Sequence, residues 1–160
     1  VLGDPVQYAA VAEFNTVQAA IDFWDDPEYA AARGLMGSKD DESAVVDRRV
    51  CCIEGEPLKI APGQGFWLNH VHEIVDETAF FSYAEASMSN FTSTSFGMVV
   101  HQHAGKQKIQ LAAALGFESI NKATGIYHTA EYGVALAAGG MQETEDEVVK
   151  RTICAVEVPK

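Results

Sequence analysis

The stretch IQLAAALGF at residues 109–117 repeats the stretch VQYAAVAEF at residues 6–14, and this repeat decides the fold. The match continues without a gap, so that residues 6–55 align with residues 109–158 at fifteen identical positions out of fifty. Self-similarity of this extent indicates that one structural unit occurs twice. Residues 66–103 have no counterpart ahead of the first copy, so we predict one complete unit and one that holds only its second half.

The elements of the complete unit are predicted from the spacing of its apolar residues and from its helix caps. Short apolar runs and alternations are typical of strands, and Asp, Ser and Thr often precede a helix. Strands are predicted at residues 66–74, 98–103, 109–117 and 148–158. Helices are predicted after Asp76 and after Ser119 or Glu118, with a restart at Thr129, and Gly97 is predicted to end the first helical region. The resulting order is β-α-β-β-α-β.

The partial unit is predicted to follow the second half of that order. Strands are predicted at residues 6–14 and 45–54. Between them, Asn15 is predicted to cap a helix that restarts at Asp26-Pro27, since Asp is a good cap and Pro suits the first helical position.

A β-α-β-β-α-β unit is ferredoxin-like, which predicts an α+β fold. Its helices cover only one face of the sheet, so the other face must be buried against something else. We therefore predict ferredoxin-like units packed as a dimeric-type α+β barrel. The predicted boundaries are a partial unit at residues 1–57, a linker rich in glycine and proline at residues 58–65, and a complete unit at residues 66–160.

The charge of the chain restricts its partners. It has 23 acidic and 11 basic residues, a net charge of −12, and such a surface repels nucleic acids. No apolar run reaches the roughly 20 residues that a membrane span needs. The sequence opens in the middle of a unit, which predicts proteolytic processing. The missing half would then come from a second chain or through self-association, and closure by this chain alone is the alternative. The sequence does not indicate a cellular compartment.

The histidines are the first candidates for chemistry. His70 and His72 lie two apart on one predicted strand, and His101 and His103 do the same on another, so each pair shares a face. In the complete unit the predicted strand order, by residues, is 148–158, 66–74, 109–117, 98–103. The strand at 109–117 therefore separates the two pairs by about 10 Å, which is too far for all four histidines to bind one metal ion. We predict no metal site. The histidines either line a polar pocket, where they carry protons or hydrogen-bond a ligand, or they are structural.

Trp67 and Tyr83, on the first strand and first helix of the complete unit, complete the set of candidate ligand-binding residues. The other notable side chains are predicted to be packing aromatics, members of cross-strand charge pairs, small buried thiols and solvated acidic loops: Trp24, Tyr29, Tyr127 and Tyr132; Arg48, Glu54, Arg151 and Glu157; Cys51, Cys52 and Cys154; residues 40–42 and 143–147. A disulfide or a reactive thiol is the alternative for the cysteines. No glycine-rich phosphate loop precedes a helix and no G-x-S-x-G elbow occurs.

Several short motifs lie together in residues 8–33, YAAVAEFNTVQAAIDFWDDPEYAAAR, namely Glu13-Phe14, Ala19-Ala20, Phe23-Trp24 and Asp26-Pro27-Glu28-Tyr29. This pattern resembles the signature of the DUF1330 family, and VCCIEG at residues 50–55 resembles that family's closing strand. The double glycine expected after the first helix is absent, and Ser95-Phe96-Gly97 stands there. The resemblance implies a dimeric ferredoxin-like barrel. It implies no reaction, because related barrels include monooxygenases, cyclases, haem-degrading enzymes and binding proteins.

Three hypotheses for function follow. The first is a protein that binds a small, partly apolar ligand between sheet and helices, without a metal, nucleotide or other cofactor. The second is a non-catalytic subunit of a larger, proteolytically processed assembly. The third is a cofactor-independent oxygenase or isomerase that uses His70, His72 or His101 as its base. The sequence alone does not choose among them.

Overall fold

A single antiparallel sheet of five strands organises the computed structural model, which describes residues 1–3, 6–35 and 48–160. The strands are β1 (Val50–Ile53), β2 (Gly65–Ile74), β3 (Ser93–Ala104), β4 (Leu111–Phe117) and β5 (Val149–Glu157). Their order is β1-β3-β4-β2-β5, and every neighbouring pair is antiparallel. Without β1 this is the strand order predicted for the complete unit. The prediction of an α+β, ferredoxin-like fold is confirmed.

The helices begin where the sequence places polar caps. They are α1 (Val17–Phe23), α2 (Pro27–Gly34), α3 (Glu77–Ser87), α4 (Ile120–Gly125) and α5 (Ala130–Ala138). Asp26, Asp76, Ser119 and Thr129 each accept a hydrogen bond from a backbone N–H of the following helix, as predicted. Asn15 does not cap α1; the hydroxyl of Thr16 accepts from the amide of Ala19 instead. Among the described helices, none is long and apolar enough to cross a membrane.

The core lies between the sheet and the helices of the complete unit. Successive side chains of a strand point to opposite faces, so Trp67 and Val71 of β2 and Leu115 and Phe117 of β4 share the helix-covered face. Trp67 is fully buried and stands edge-on to Phe117 and to Tyr132, with ring centroids 5.0 and 5.4 Å away. Edge-on aromatic pairs add to the free energy gained by burial. Aromatic side chains therefore fill the space between the sheet and the helices, where the first functional hypothesis places a ligand.

The predicted strand at residues 6–14 is wrong. In the complete unit the equivalent strand, β4, lies between β2 and β3 and pairs with both. The partial unit has no counterpart of either neighbour, so residues 6–14 have no strand to pair with and follow an irregular path. Tyr8 is consequently 92 % exposed, although it occupies the position of the buried Leu111.

The closing strand of the partial unit, β1, joins the edge of β3 in the complete unit. Cys51 lies opposite Gln102 and Cys52 opposite His101. The described residues thus form one sheet with an added edge strand, and no second sheet faces it as the predicted barrel requires. The beginning of the predicted strand, residues 45–47, lies outside the described residues, as does the predicted acidic loop at 40–42.

Gly97 does not end a helical region; it lies inside β3, where the chain after β1 comes close. A Cβ atom at Gly97 would lie 2.3 Å from the carbonyl oxygen of Glu54. Glycine at this position therefore permits the close approach of the partial unit to the edge of the complete unit's sheet.

The face of the sheet that carries no helices of the complete unit, called here the helix-free face, is approached by the earlier part of the same chain. Ile60 lies over Gly116. A Cβ atom added to Gly116 would be 3.4 Å from the side chain of Ile60. The predicted linker at residues 58–65 thus takes part in covering the sheet.

We predict that Gly97→Ala destabilises the fold, because the added methyl group meets backbone rather than a movable side chain. Overpacking of this kind lowers the free energy of unfolding by about 1–3 kcal/mol. Gly133→Ala is the control: it lies within α5, a Cβ there meets nothing within 4 Å, and we expect a gain of about 0.5–1 kcal/mol. Urea denaturation measures both changes, and a Gly97→Ala protein as stable as the parent would contradict the close approach.

Candidate functional site

The six candidate ligand-binding residues lie on opposite faces of the sheet. Trp67 and Tyr83 lie on the helix-covered side, where they are 0 % and 4 % exposed. The four histidines are on strand positions that face the other way. The sheet itself therefore separates the aromatic candidates from the histidines, and the six residues do not form a single site.

The two histidine pairs are also far from each other. His70 lies opposite Ala112, which lies opposite Gly97, and His101 is four residues further along β3. At 3.3 Å per residue this offset is about 13 Å, in addition to two strand spacings of about 5 Å each. Within the described residues, no group of three or more His, Cys, Asp or Glu side chains could hold a metal ion.

His72 belongs to a chain of hydrogen bonds that spans the helix-free face. Its Nδ1 is 3.0 Å from the carbonyl oxygen of Lys108, and its Nε2 is 3.4 Å from Oγ1 of Thr152. The carbonyl can only accept, so the proton of the neutral ring is on Nδ1 and Nε2 is free to accept. Arg49 donates from Nη1 to the same Thr152 hydroxyl at 3.0 Å. The Thr152 hydroxyl can then donate onward to His72.

His70 lies next to this chain, on the same face of β2 and opposite Thr152 on β5. Burial, the Arg49 guanidinium and His72 together lower the pKa of His70 to about 4. His70 is therefore neutral at pH 7. A general base works best with a pKa near the operating pH, so His70 is better suited to hydrogen bonding than to proton abstraction.

The charge at this position contrasts with that of the whole protein. Among the described residues no carboxylate forms an ion pair with Arg49. Arg49, His70, His72 and Thr152 are all partly buried, which places the Arg49 cation in surroundings drier than the open surface. In a chain of net charge −12, Arg49 is therefore a local positive charge on the helix-free face.

The second histidine pair contacts the partial unit. The ring of His103 stacks on Trp24 at a centroid distance of 4.8 Å, and the rings of His101 and His103 are 4.5 Å apart. Arg33 and Arg48 also approach the Trp24 ring, with Cζ atoms 4.3 and 4.8 Å from its centroid. Burial and His101 lower the pKa of His103. His103 thus packs between two parts of the chain, and Trp24 is the packing aromatic that the sequence predicts.

A buried polar network on the helix-covered side was not predicted. Arg151 donates from Nε to Glu145 at 2.7 Å and from Nη1 to the hydroxyl of Tyr83 at 2.6 Å. Tyr83 is hydrogen-bonded to Tyr132, and Tyr127 donates to the other oxygen of Glu145. Burial raises the pKa of both Tyr127 and Tyr132, so the two phenols stay protonated. Tyr83, a candidate ligand contact, is occupied within this network.

Two predictions about charged residues are corrected by this network. Arg151 does not form a cross-strand charge pair; its buried side chain pairs with Glu145, which lies ahead of β5. The loop at residues 143–147 is not simply solvated, since Glu145 is held by Arg151 and only 16 % of its side chain is exposed. The repeat carried a signal for this pair: Glu145 and Arg151 are both identical in the first copy, as Glu42 and Arg48.

The helix-free face also carries an apolar groove of about 330 Å³. Its floor is formed by Phe66 of β2 and Val156 of β5, which lie opposite each other. The other lining residues come from the irregular first segment, the linker and the C-terminal end: Ala9, Ala10, Val11, Glu13, Leu58, Ile60, Glu157, Val158 and Pro159. Another depression, of about 390 Å³, lies beside Glu54 and Phe96, outside the histidine positions.

The groove and the polar chain lie along the same pair of strands. Phe66 lies opposite Val156, Leu68 opposite Cys154, and His70 opposite Thr152. Alternate residues of a strand share a face, so these three pairs follow one another on the helix-free face. The apolar floor and the Arg49–Thr152–His72 chain are therefore two parts of one surface.

The three cysteines are free thiols and are partly buried. Burial and the neighbouring Cys52 raise the pKa of Cys51 to about 11, and burial raises the pKa of Cys154. A thiol with a raised pKa is protonated at neutral pH and is a poor nucleophile.

Comparison with known proteins gives a structural likeness. No family model matches this chain, and no curated protein matches it. A crystal structure of a dimeric ferredoxin-like protein of unknown function from Thermobifida fusca YX is similar over 64 % of this chain and 100 % of its own, at 12 % sequence identity and a TM-score of 0.43. The strand order of the sheet, and not this likeness, is the basis for describing the fold as ferredoxin-like.

We predict that Glu145→Gln destabilises the protein by about 3 kcal/mol, because it leaves the buried Arg151 without its carboxylate. Glu73→Gln is the control. It removes the Lys150–Glu73 pair, whose side chains are 55 % and 52 % exposed, and should lower the free energy of unfolding by less than about 1 kcal/mol. Chemical denaturation compares the two variants, and equal effects would contradict a structural role for the network.

The low pKa of His70 predicts a loss of stability in mild acid. The pKa is about 4 in the folded protein and about 6.5 in an unfolded chain, so the unfolded state binds the proton first. This contribution to stability is complete above pH of about 6.5 and is lost as the pH falls towards about 4, by at most about 1.4 kcal/mol per pH unit. Denaturation curves of the parent and of His70→Gln across this range should diverge. Parallel curves would show that the pKa of His70 is not lowered in the folded protein.

Proposed function

We propose that the protein binds a small, partly apolar ligand on the helix-free face of its sheet. The observation that carries this proposal is the apolar groove over Phe66 and Val156, on the same face as the Arg49–Thr152–His72 chain. Small-molecule sites typically combine apolar walls with a few placed polar groups. At about 330 Å³ the groove is at the lower end of the size range of such sites.

The walls of the groove are held by hydrogen bonds from the linker. The amide of Leu58 donates to the carboxylate of Glu13 at 2.9 Å, which ties the irregular first segment to the linker. The amide of Lys59 donates to Ser93 at 2.8 Å, which ties the linker to β3. These contacts support a groove that exists before a ligand arrives, so that little ordering opposes binding.

We further propose that the chain is a distant relative of the DUF1330 family and that it divides into the units 1–57, 58–65 and 66–160. The internal repeat and the motifs in residues 8–33 support both ideas. Neither the family relationship nor the division into units identifies a reaction. An oxygenase or isomerase that uses His70 as its base is less well supported, because a base with a pKa of about 4 is weak.

A second candidate function is that of a subunit in a larger assembly. Residues 6–14 keep the pattern of β4 but have no strand neighbours, and Tyr8 and Val6 are 92 % and 50 % exposed. A second chain that supplies a β-α-β half would pair with this segment. Native mass spectrometry of the protein from its natural source tests this candidate. A companion polypeptide would support it, and added mass of a few hundred daltons would support the small ligand instead.

We predict that 1-octanol, used as an apolar probe, binds in the groove and that Ile60→Trp abolishes binding by filling it. Leu35→Trp is the matched control, since Leu35 is 90 % exposed and is not part of the groove. Isothermal titration calorimetry of the parent and both variants provides the measurement. Equal binding to the Ile60→Trp protein, or none to the parent, would contradict the proposed function.

A further inference from the structure

We infer that Arg49, Thr152 and His72 form a subsite for a carboxylate, so that the ligand is a small carboxylic acid with an apolar body. This inference rests on the proposed function and specifies the class of its ligand. The apolar body would occupy the groove over Phe66 and Val156, and the carboxylate would lie at the other end of the same surface.

Arg49 is fixed in place but has donors to spare. Its side-chain stem packs against the turn after β3, where a Cβ atom at Gly105 would lie 3.3 Å from Arg49 Cγ. One of its nitrogens, Nη1, donates to Thr152. A guanidinium has five N–H donors in a planar fork that matches the two oxygens of a carboxylate. Among the residues that the structure describes, none forms an ion pair with Arg49.

Thr152 and His72 supply the remaining polar groups of the subsite. The Thr152 hydroxyl is held between Arg49 and His72, and His72 is oriented by the carbonyl of Lys108. Arg49 contributes to the lowered pKa of His70, so an anion beside Arg49 would favour the protonated form of His70.

The position of the subsite sets the shape of the ligand. The pair Phe66–Val156 and the pair His70–Thr152 are four residues apart along β2, which is about 13 Å. Leu68 and Cys154, both partly buried, lie between them on the same face. A short unbranched carboxylic acid fits this arrangement better than a compact polar anion, which would gain nothing from the groove.

The experiment compares octanoate with 1-octanol, which share an apolar chain and differ in charge. Calorimetry on the intact chain should show that octanoate binds at least about tenfold more tightly, since a charge-assisted pair with Arg49 is made only by the carboxylate. Arg49→Gln should remove this preference. Arg48→Gln, which removes the same charge from the neighbouring residue over Trp24, is the control and should keep the preference.

A second readout separates a binding role of Arg49 from a structural one. In NMR titrations of the imidazole nitrogens, saturating octanoate should raise the pKa of His70 from about 4, whereas 1-octanol should not. Equal affinity of the two probes for the parent protein, without a change in Arg49→Gln, would overturn the carboxylate subsite while the proposed function stands. Failure of both probes to bind would overturn the proposed function itself.

Discussion

The structure depends on burial of the face of the sheet that its own helices leave open. In the complete unit α3 and α5 pack over one face, so the apolar side chains on the other face of β2 and β4 need a cover. The chain uses its incomplete copy and the linker for this purpose, and the close approach at Gly97 marks where the two copies meet. A cover of irregular segments packs less closely than a helix or a second sheet. The groove over Phe66 lies beneath this cover.

The sequence predicted those elements whose partners lie within the same repeat. The strand order, and the caps Asp26, Asp76, Ser119 and Thr129, follow from local patterns and from the repeat. Residues 6–14 were misassigned because a strand also needs neighbours, and periodicity carries no information about them. Period-two spacing puts the two histidines of each pair on one face of the sheet but does not say which face. The role of Arg49 could not be predicted, since its partner Thr152 is 103 residues away in sequence.

The repeat also explains why similar residues have different surroundings in the two copies. In the complete unit Arg151 is held by Glu145 and by Tyr83 of α3. The partial unit keeps the equivalent arginine, Arg48, but has no counterpart of α3. Arg48 lies over Trp24 instead, and His103 of β3 stacks on the same ring. His103, a residue of the complete unit, thus packs against Trp24 of the partial unit.

The central claim is that the helix-free face, and not the helix-covered face, binds small molecules. Intermolecular nuclear Overhauser effects between octanoate and the methyl groups of the protein test it most directly. The account predicts contacts from the octanoate chain to Val11, Ile60 and Val156, which line the groove. Contacts to Leu115 and Val149 in the core beneath the helices would contradict it.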